Sequence, residues 1–362
     1  MIKLADICKK ASSSIAQKDL DGRNGSYPIY GASGFIKNVD FYQQENPYVA
    51  VVKDGAGVGR VMCLPGKSSV IGTMQYIIPN NGINVHYLAY ALESMNLAKY
   101  CTGATIPHIY FKDYCTEPLR NHSNGEQVKI ADTLDKVGGL ISLRKQQLAK
   151  LDELVKSQFI ELFGDPERNP KGYEKRKLGS LAKKISDGVH AKPEYTETGR
   201  PFLSVVNINK GIINFEGCKF VSEEAYQKMI KSTHPERGDV LYTKVGATYG
   251  IPAYVDTDTE FCLYVSVCLI KPQHDDIDSR FLALSMSMPY IKRQADSRIK
   301  GIGVPDLHLN QISEFDILCP PREEQELFVT FVKQTDKSKL AIQKSLDQLE
   351  LLKKALMQNF FG

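Results

Sequence analysis

The sequence predicts an α+β fold made of two globular units, each followed by one long helix. Three observations carry that prediction. A 39-residue segment recurs without a gap, apolar residues within it recur at coiled-coil spacing, and the segments between hold short strand-like runs beside helical ones. The repeat pairs residues 126–164 with 324–362. Both copies begin Glu-Gln and end Phe-Gly, and Leu148, Leu151, Leu154 and Lys156 fall on Leu346, Leu349, Leu352 and Lys354 at an offset of 198. The same offset relates Gly103 and Pro107 to Gly301 and Pro305. Further upstream, Lys53-Asp-Gly-Ala-Gly-Val-Gly59 matches Lys244-Val-Gly-Ala-Thr-Tyr-Gly250 at an offset of 191, so seven residues are inserted between the landmarks. The chain thus divides into a globular unit at 1–122, a helix at 123–164, a linker and second unit at 165–320, and a second helix at 321–362.

The first unit has strand-like runs at 48–53, 59–64 and 73–79, then a helical run near 85–99. The first long helix can start at Ser123 or Asn124, good capping residues. Leu134, Ile141, Leu148, Val155 and Leu162 fall seven apart along it, with Val137 and Leu151 between, a stripe that Arg144 and Gln158 interrupt. Gly138-Gly139 predicts a weak point or kink. The polar, proline-containing segment 165–177 reads as a linker. In the second unit, strand-like runs lie at 202–208, 211–217, 239–245 and 261–272, and a helix near 279–296. Pro320-Pro321 and the acids after it suit a helix start. Ile342, Leu346, Leu349, Leu356 and Phe360 form the second stripe, interrupted by Lys353. Neither helix can bury its stripe alone. The economical arrangement is an antiparallel coiled coil relating the two units by a pseudo-twofold. The alternative folds each helix back onto its own unit.

Composition narrows the function classes. With 42% hydrophobic and 24% charged residues the chain reads as globular rather than disordered. It has no apolar run long enough to span a membrane and no signal-like start, so a cytoplasmic location without membrane contact is expected. Its eight cysteines contain no CxxC pair and read as reduced thiols, with no metal site. The net charge of +4 permits nucleic-acid binding without demonstrating it.

Catalytic signatures are missing. Leu64-Pro-Gly-Lys-Ser68 lacks the first glycine of a phosphate-binding loop, because Val61 stands there. Asn46-Pro47-Tyr48 lacks the second proline of an amino-methyltransferase motif, and no glycine-rich cofactor loop follows a strand. No metal-ligand histidine spacing and no nucleophile elbow occur, and Asp306 has no nuclease-type E-x-K partner. No catalytic residue and no cofactor are therefore assigned to this chain.

The layout resembles the specificity subunit of type I restriction–modification systems over nearly its whole length. The residues that carry the resemblance are Tyr27-Pro-Ile-Tyr-Gly-Ala-Ser-Gly34, Ile185-Ser-Asp-Gly-Val-His190 with Pro193, Gly238-Asp-Val-Leu-Tyr-Thr-Lys-Val-Gly246, and Pro320-Pro-Arg-Glu-Glu-Gln325. Their order and the duplication make the match. At the first helix the family's double proline is replaced by Asn121-His-Ser-Asn-Gly. The resemblance implies that each globular unit is a target recognition domain reading half of a split sequence in double-stranded DNA. It implies that the helices set the spacing and dock two modification subunits, and that restriction subunits join them. S-adenosylmethionine, and ATP with Mg for restriction, would sit on those partners.

Within that frame, phosphate contacts come from Lys, Arg and loop amides, and base contacts from polar side chains. The repeated glycine loops supply the first candidates: Lys53 and Gly55, and Lys244, Gly246 and Thr248. Thr105 and Lys300 lie in or beside the GATIPH and GIGVP segments. Ser33 and Gly34, and His190, Lys192 and Tyr195, lie in the motif-bearing loops. Arg60 and Lys67 add charge in the first unit. The bland alternatives are a plain hairpin turn with a solvated lysine for the glycine loops, a packing loop leading into the helix for GATIPH and GIGVP, a core rim for Tyr195, and solvated charges for Arg60 and Lys67. At the level of function, two other classes stay open: a coiled-coil scaffold without DNA readout, and an enzyme with an unrecognised site.

Overall fold

The computed structural model describes residues 1–103, 107–209, 211–299 and 303–362. Two compact units divide the chain within the long helices rather than at their starts. One comprises Met1–Leu148 with Ala341–Gly362, the other Ala149–Leu340.

In the first unit, a four-stranded antiparallel sheet runs in the order Cys8–Ser12, Met74–Pro79, Tyr48–Val52, Val61–Leu64. Tyr48–Val52 is buried throughout, as expected of a strand covered on both faces. A second, three-stranded sheet pairs Tyr27–Gly31 antiparallel with Gly34–Val39 and parallel with Ser69–Val70. The helix Val85–Ser94 packs on the larger sheet. The first long helix, Asn124–Phe163, sends Ile130, Ala131 and Leu134 into the same core, and Leu356 and Phe360 pack against it from the second long helix, Arg322–Phe361. Residues early in one long helix face residues late in the other. Lys145 pairs with Glu350 at 2.8 Å, and the Tyr87 and Phe361 rings lie 5.4 Å apart.

The second unit repeats this plan. Its four-stranded sheet runs Ala182–Asp187, Val267–Pro272, Val240–Thr243, Pro252–Tyr254, all antiparallel. Its three-stranded sheet pairs Arg200–Leu203 antiparallel with Lys219–Val221 and parallel with Cys262–Leu263. Ser279–Met286 stands where Val85–Ser94 stands in the first unit. The long helices again lie antiparallel. Phe159 and Phe163 pack edge-to-face against Phe328 at 5.5 and 5.6 Å, and Lys339 meets Asp152 at 2.7 Å.

The repeated Glu-Gln now has a physical reason. The buried Gln127 accepts from the Asn84 amide and donates to the His122 carbonyl. The buried Gln325 accepts from the Asp278 amide and donates to the Pro320 carbonyl. Asn84 and Asp278 in turn cap the short helices, accepting from the Tyr87 and Phe281 amides. One glutamine therefore ties a long helix to the start of a short one, identically in both units. Ser123, not Asn124, caps the first long helix, exchanging hydrogen bonds with Glu126. That bonding to Ser123 holds the Glu126 carboxyl below its usual range.

The first long helix stays helical through Gly138-Gly139. Several expectations are corrected. The run 202–208 stops being a strand at Leu203, because Val205–Asn207 turns. Of 211–217 only Ile212–Ile213 is extended, in a hairpin with Ile208–Asn209. The run 261–272 is two strands that belong to different sheets, and the helix near 279–296 is broken, with Pro289 opening a second helix, Pro289–Arg298. Glu174–Lys177, within the expected linker, pairs with Asp316–Cys319.

The stripe residues face inward. Leu134, Val155 and Leu346 are buried, while Ile141, Leu148, Leu151, Leu162, Ile342, Leu349, Leu356 and Phe360 are half-buried. Lys353 interrupts the stripe because its ammonium reaches Glu93 at 2.9 Å across the Tyr90 ring. The eight cysteines are free thiols, and burial pushes Cys8 and Cys262 up to about 12.

Candidate nucleic-acid interface

Each glycine loop closes one end of the larger sheet of its unit, and the two are held by the same backbone bonds. The Lys53 amide donates to the Thr73 carbonyl, and Lys244 to Ser266. Gly55 donates to Pro107 and Gly246 to Pro305, both at 2.9 Å. Ile109 donates back to Lys53 at 3.0 Å, and Leu307 to Lys244 at 2.9 Å. Gly55 and Gly246 have φ of +89° and +90°, which disfavours a side chain. At Gly59 a Cβ would stand 2.8 Å from the Ala98 amide nitrogen. The loop's glycine spacing repeats because each copy puts two residues at positive φ, Gly55 and Gly59 in the first unit and Gly246 and Gly250 in the second.

In the first unit this loop meets the tip of the Tyr27–Val39 hairpin. Ala32 and Ser33 form a two-residue turn, and Gly34 follows with φ +113°. The Arg60 guanidinium donates to the Ala32 carbonyl at 2.6 Å, fixing the tip to the loop. Ser33, Gly34, Lys53, Gly55 and Arg60 are thereby brought together. So are three residues the sequence did not single out. Phe35 is 60% exposed beside the tip, His108 binds Asp54, and the Tyr110 ring lies tilted against His108, centroids 4.1 Å apart, with Lys112 over its own face. Exposed aromatic rings interleaved with cations suit contact with bases and phosphates. Lys67 is not part of the group. It lies beyond the far end of the Val61–Leu64 strand, loosely paired with Glu45 at 3.8 Å.

In the second unit the loop is wired differently. Lys244 is not a free cation. Its side chain is 6% exposed, with its ammonium 3.4 Å from Asp187 and 3.6 Å from Asp306. Asp187 also faces exposed His190 at 3.4 Å. Burial pushes the neighbouring Cys268 thiol well above the usual range. Thr248 is exposed, and its carbonyl accepts from the Thr243 hydroxyl at 2.8 Å. Tyr249 anchors the loop by donating to Asp296, whose carboxyl is held below its usual range by Lys292 and then by Tyr249. Lys192 lies over the exposed Tyr195 ring. Where the first unit turns in two residues, the second makes an excursion over 204–218. It contains the small hairpin and exposes Val206 and Ile212. Thr105 and Lys300 fall outside the described residues. Among the described residues, no group of three His, Cys, Asp or Glu side chains could hold a metal ion. No described helix is long and apolar enough to cross a membrane.

A family model described as the type I restriction modification DNA specificity domain matches the chain twice, at residues 1–153 and 170–351. The chain belongs to that family. The type I restriction enzyme MjaVIII specificity subunit of Methanocaldococcus jannaschii is 25% identical over 352 residues, covering 90% of this chain and 81% of the relative. The fold is shared with the type I restriction–modification S subunit from M. genitalium, at TM-score 0.64 and 16% identity over 99% of this chain and 95% of that one. A chain from a structure describing complex assembly and conformational transition of the type I system matches at TM-score 0.56 and 15% identity, over 99% and 96%. Specificity subunits are the non-catalytic components of such systems, and the specificity family accounts for the missing catalytic signatures.

Proposed function

We propose that this chain reads a bipartite target in double-stranded DNA, one half-site per unit, on behalf of modification subunits that carry the chemistry. The observation that supports it best is the pair of glycine loops. Identical backbone bonding presents two different sets of side chains at equivalent places. A constant frame with variable tips is what two readers of different half-sites require. The long helices, ~60 Å each at about 1.5 Å per residue, set the spacing between half-sites. Beyond their inward stripe they expose Leu143, Leu154, Leu340 and Leu351, which supports docking of two modification subunits along them. S-adenosylmethionine belongs on those subunits, where a target adenine is flipped from the duplex. ATP and Mg belong on the restriction subunits.

The adenine methylome of the source cell, with and without this gene, tests the reading. Loss of methylation at one split motif on deletion is the expected result. If the methylome is unchanged and the chain, reconstituted with its modification subunit, still selects no sequence, the chain is a coiled-coil scaffold.

A further inference from the structure

The two glycine loops share a backbone and differ in the polar pair that fastens them. In the second unit the cation is on the loop and the anion on the segment it meets, Lys244 to Asp306, with Asp187 as a further acceptor. In the first unit the anion is on the loop and the basic group on the segment, Asp54 to His108. Position by position, Lys53 corresponds to Lys244, Asp54 to Val245, and His108 to Asp306. The position of Asp187, opposite Cys268 in the ladder, corresponds to Ser12, opposite Gln75. Unit one therefore has no carboxylate at the place of Asp187, and Lys53 has only its neighbour Asp54, at 3.4 Å, among the described residues.

We propose that Asp54–His108 and Lys244–Asp306 are positioning pairs of opposite polarity, each holding its unit's reading loop in the conformation that contacts DNA. This rests on the DNA-reading proposal above. The backbone bonds from Gly55 to Pro107 and from Gly246 to Pro305 join the same two segments, so each pair fastens a joint the backbone already makes. The polar groups of each pair face one another. The groups left to touch DNA in the first unit are Lys53, Arg60 and the Phe35 and Tyr110 rings. In the second they are His190, Thr248 and the apolar tip. Because the pairs are local, each acts on one half-site.

The polarity can be exchanged. His108→Asp sets two carboxylates against each other at the joint. Adding Asp54→Val removes the clash and gives Lys53 the acceptor that Asp306 gives Lys244. Selection of randomised duplex DNA by the full-length chain with its modification subunit reads both half-sites at once. Hydrogen exchange of the 53–60 and 107–112 peptides reads the joint without DNA. For His108→Asp we expect at least about tenfold weaker discrimination at the first half-site, none lost at the second, and faster exchange in both peptides. The double variant recovers both to within about threefold. Lys244→Met does the reverse, affecting the second half-site alone.

Discrimination lost at both half-sites by either single variant would overturn the proposal. So would a double variant that melts normally yet recovers neither readout. If the unaltered chain selects no sequence, the DNA-reading proposal falls. Exchange then decides whether the pairs hold the joint at all, and unchanged exchange in His108→Asp sinks the pairs as well.

Discussion

The two units share a frame and differ in what fills and tips it. At the helix contact, offset by 198, Ile130 and Met357 of the first unit correspond to Phe328 and Phe159 of the second. An aliphatic contact in one is an aromatic cluster in the other. At the sheet tip, the turn at Ala32-Ser33 corresponds to the excursion over 204–218. Hydrogen-bonded joints tolerate little change, since a buried polar group left unpaired is costly. Apolar contacts and exposed tips tolerate much. The frame is repeated where backbone bonds are made and free to diverge elsewhere.

That comparison can be broken or sharpened by substitution. The largest effect is expected at the aromatic cluster, where Phe328→Ala costs about 3–5 kcal/mol by denaturant unfolding. Ile130→Ala should cost less, in proportion to the smaller void. Next, Gln127→Ala and Gln325→Ala each strand an amide and a carbonyl, so each costs about 2–4 kcal/mol. The sharp expectation is that the two losses agree within about 1 kcal/mol; a large disparity would mean the frame is not equivalent. Lys244→Met strands Asp187 and costs about 2–3 kcal/mol, whereas Lys53→Met stays within about 0.5 kcal/mol. Equal costs would erase the contrast between the loops. Comparably small in stability is Phe35→Ser, expected to shift the melting temperature by no more than about a degree or two. Under the proposed function its effect is expected on duplex binding at the first half-site, read by the same selection.

Much of the frame was legible because duplication writes the same constraint twice. The Glu-Gln pair, the glycine loops and the apolar stripes all stood out by alignment of the chain with itself. The wiring of the site was not legible. Lys53 and Lys244 look equivalent in sequence, yet Asp187 and Asp306, which pair with the buried Lys244, lie on segments far from it along the chain. Phe35 and Tyr110 gave no signal, since exposed aromatic residues mean something only beside the cations that the fold gathers around them. Strand ends were blurred wherever apolar runs continued through a turn. In 261–272, Tyr264–Ser266 carries enough apolar character to hide the passage from one sheet to another.

The division of the chain has a consequence for its synthesis. The second unit is one uninterrupted stretch, Ala149–Leu340, while the first needs Ala341–Gly362 as well as Met1–Leu148. A ribosome makes chains in order, and domains commonly fold in that order. Here the unit begun first is completed last. Until Leu356 and Phe360 emerge, the core around Leu88 and Leu134 lacks part of its cover. The nascent chain carries an unfinished apolar surface through the whole translation of the second unit. That interval, rather than the finished protein, is where chaperone dependence and aggregation should concentrate.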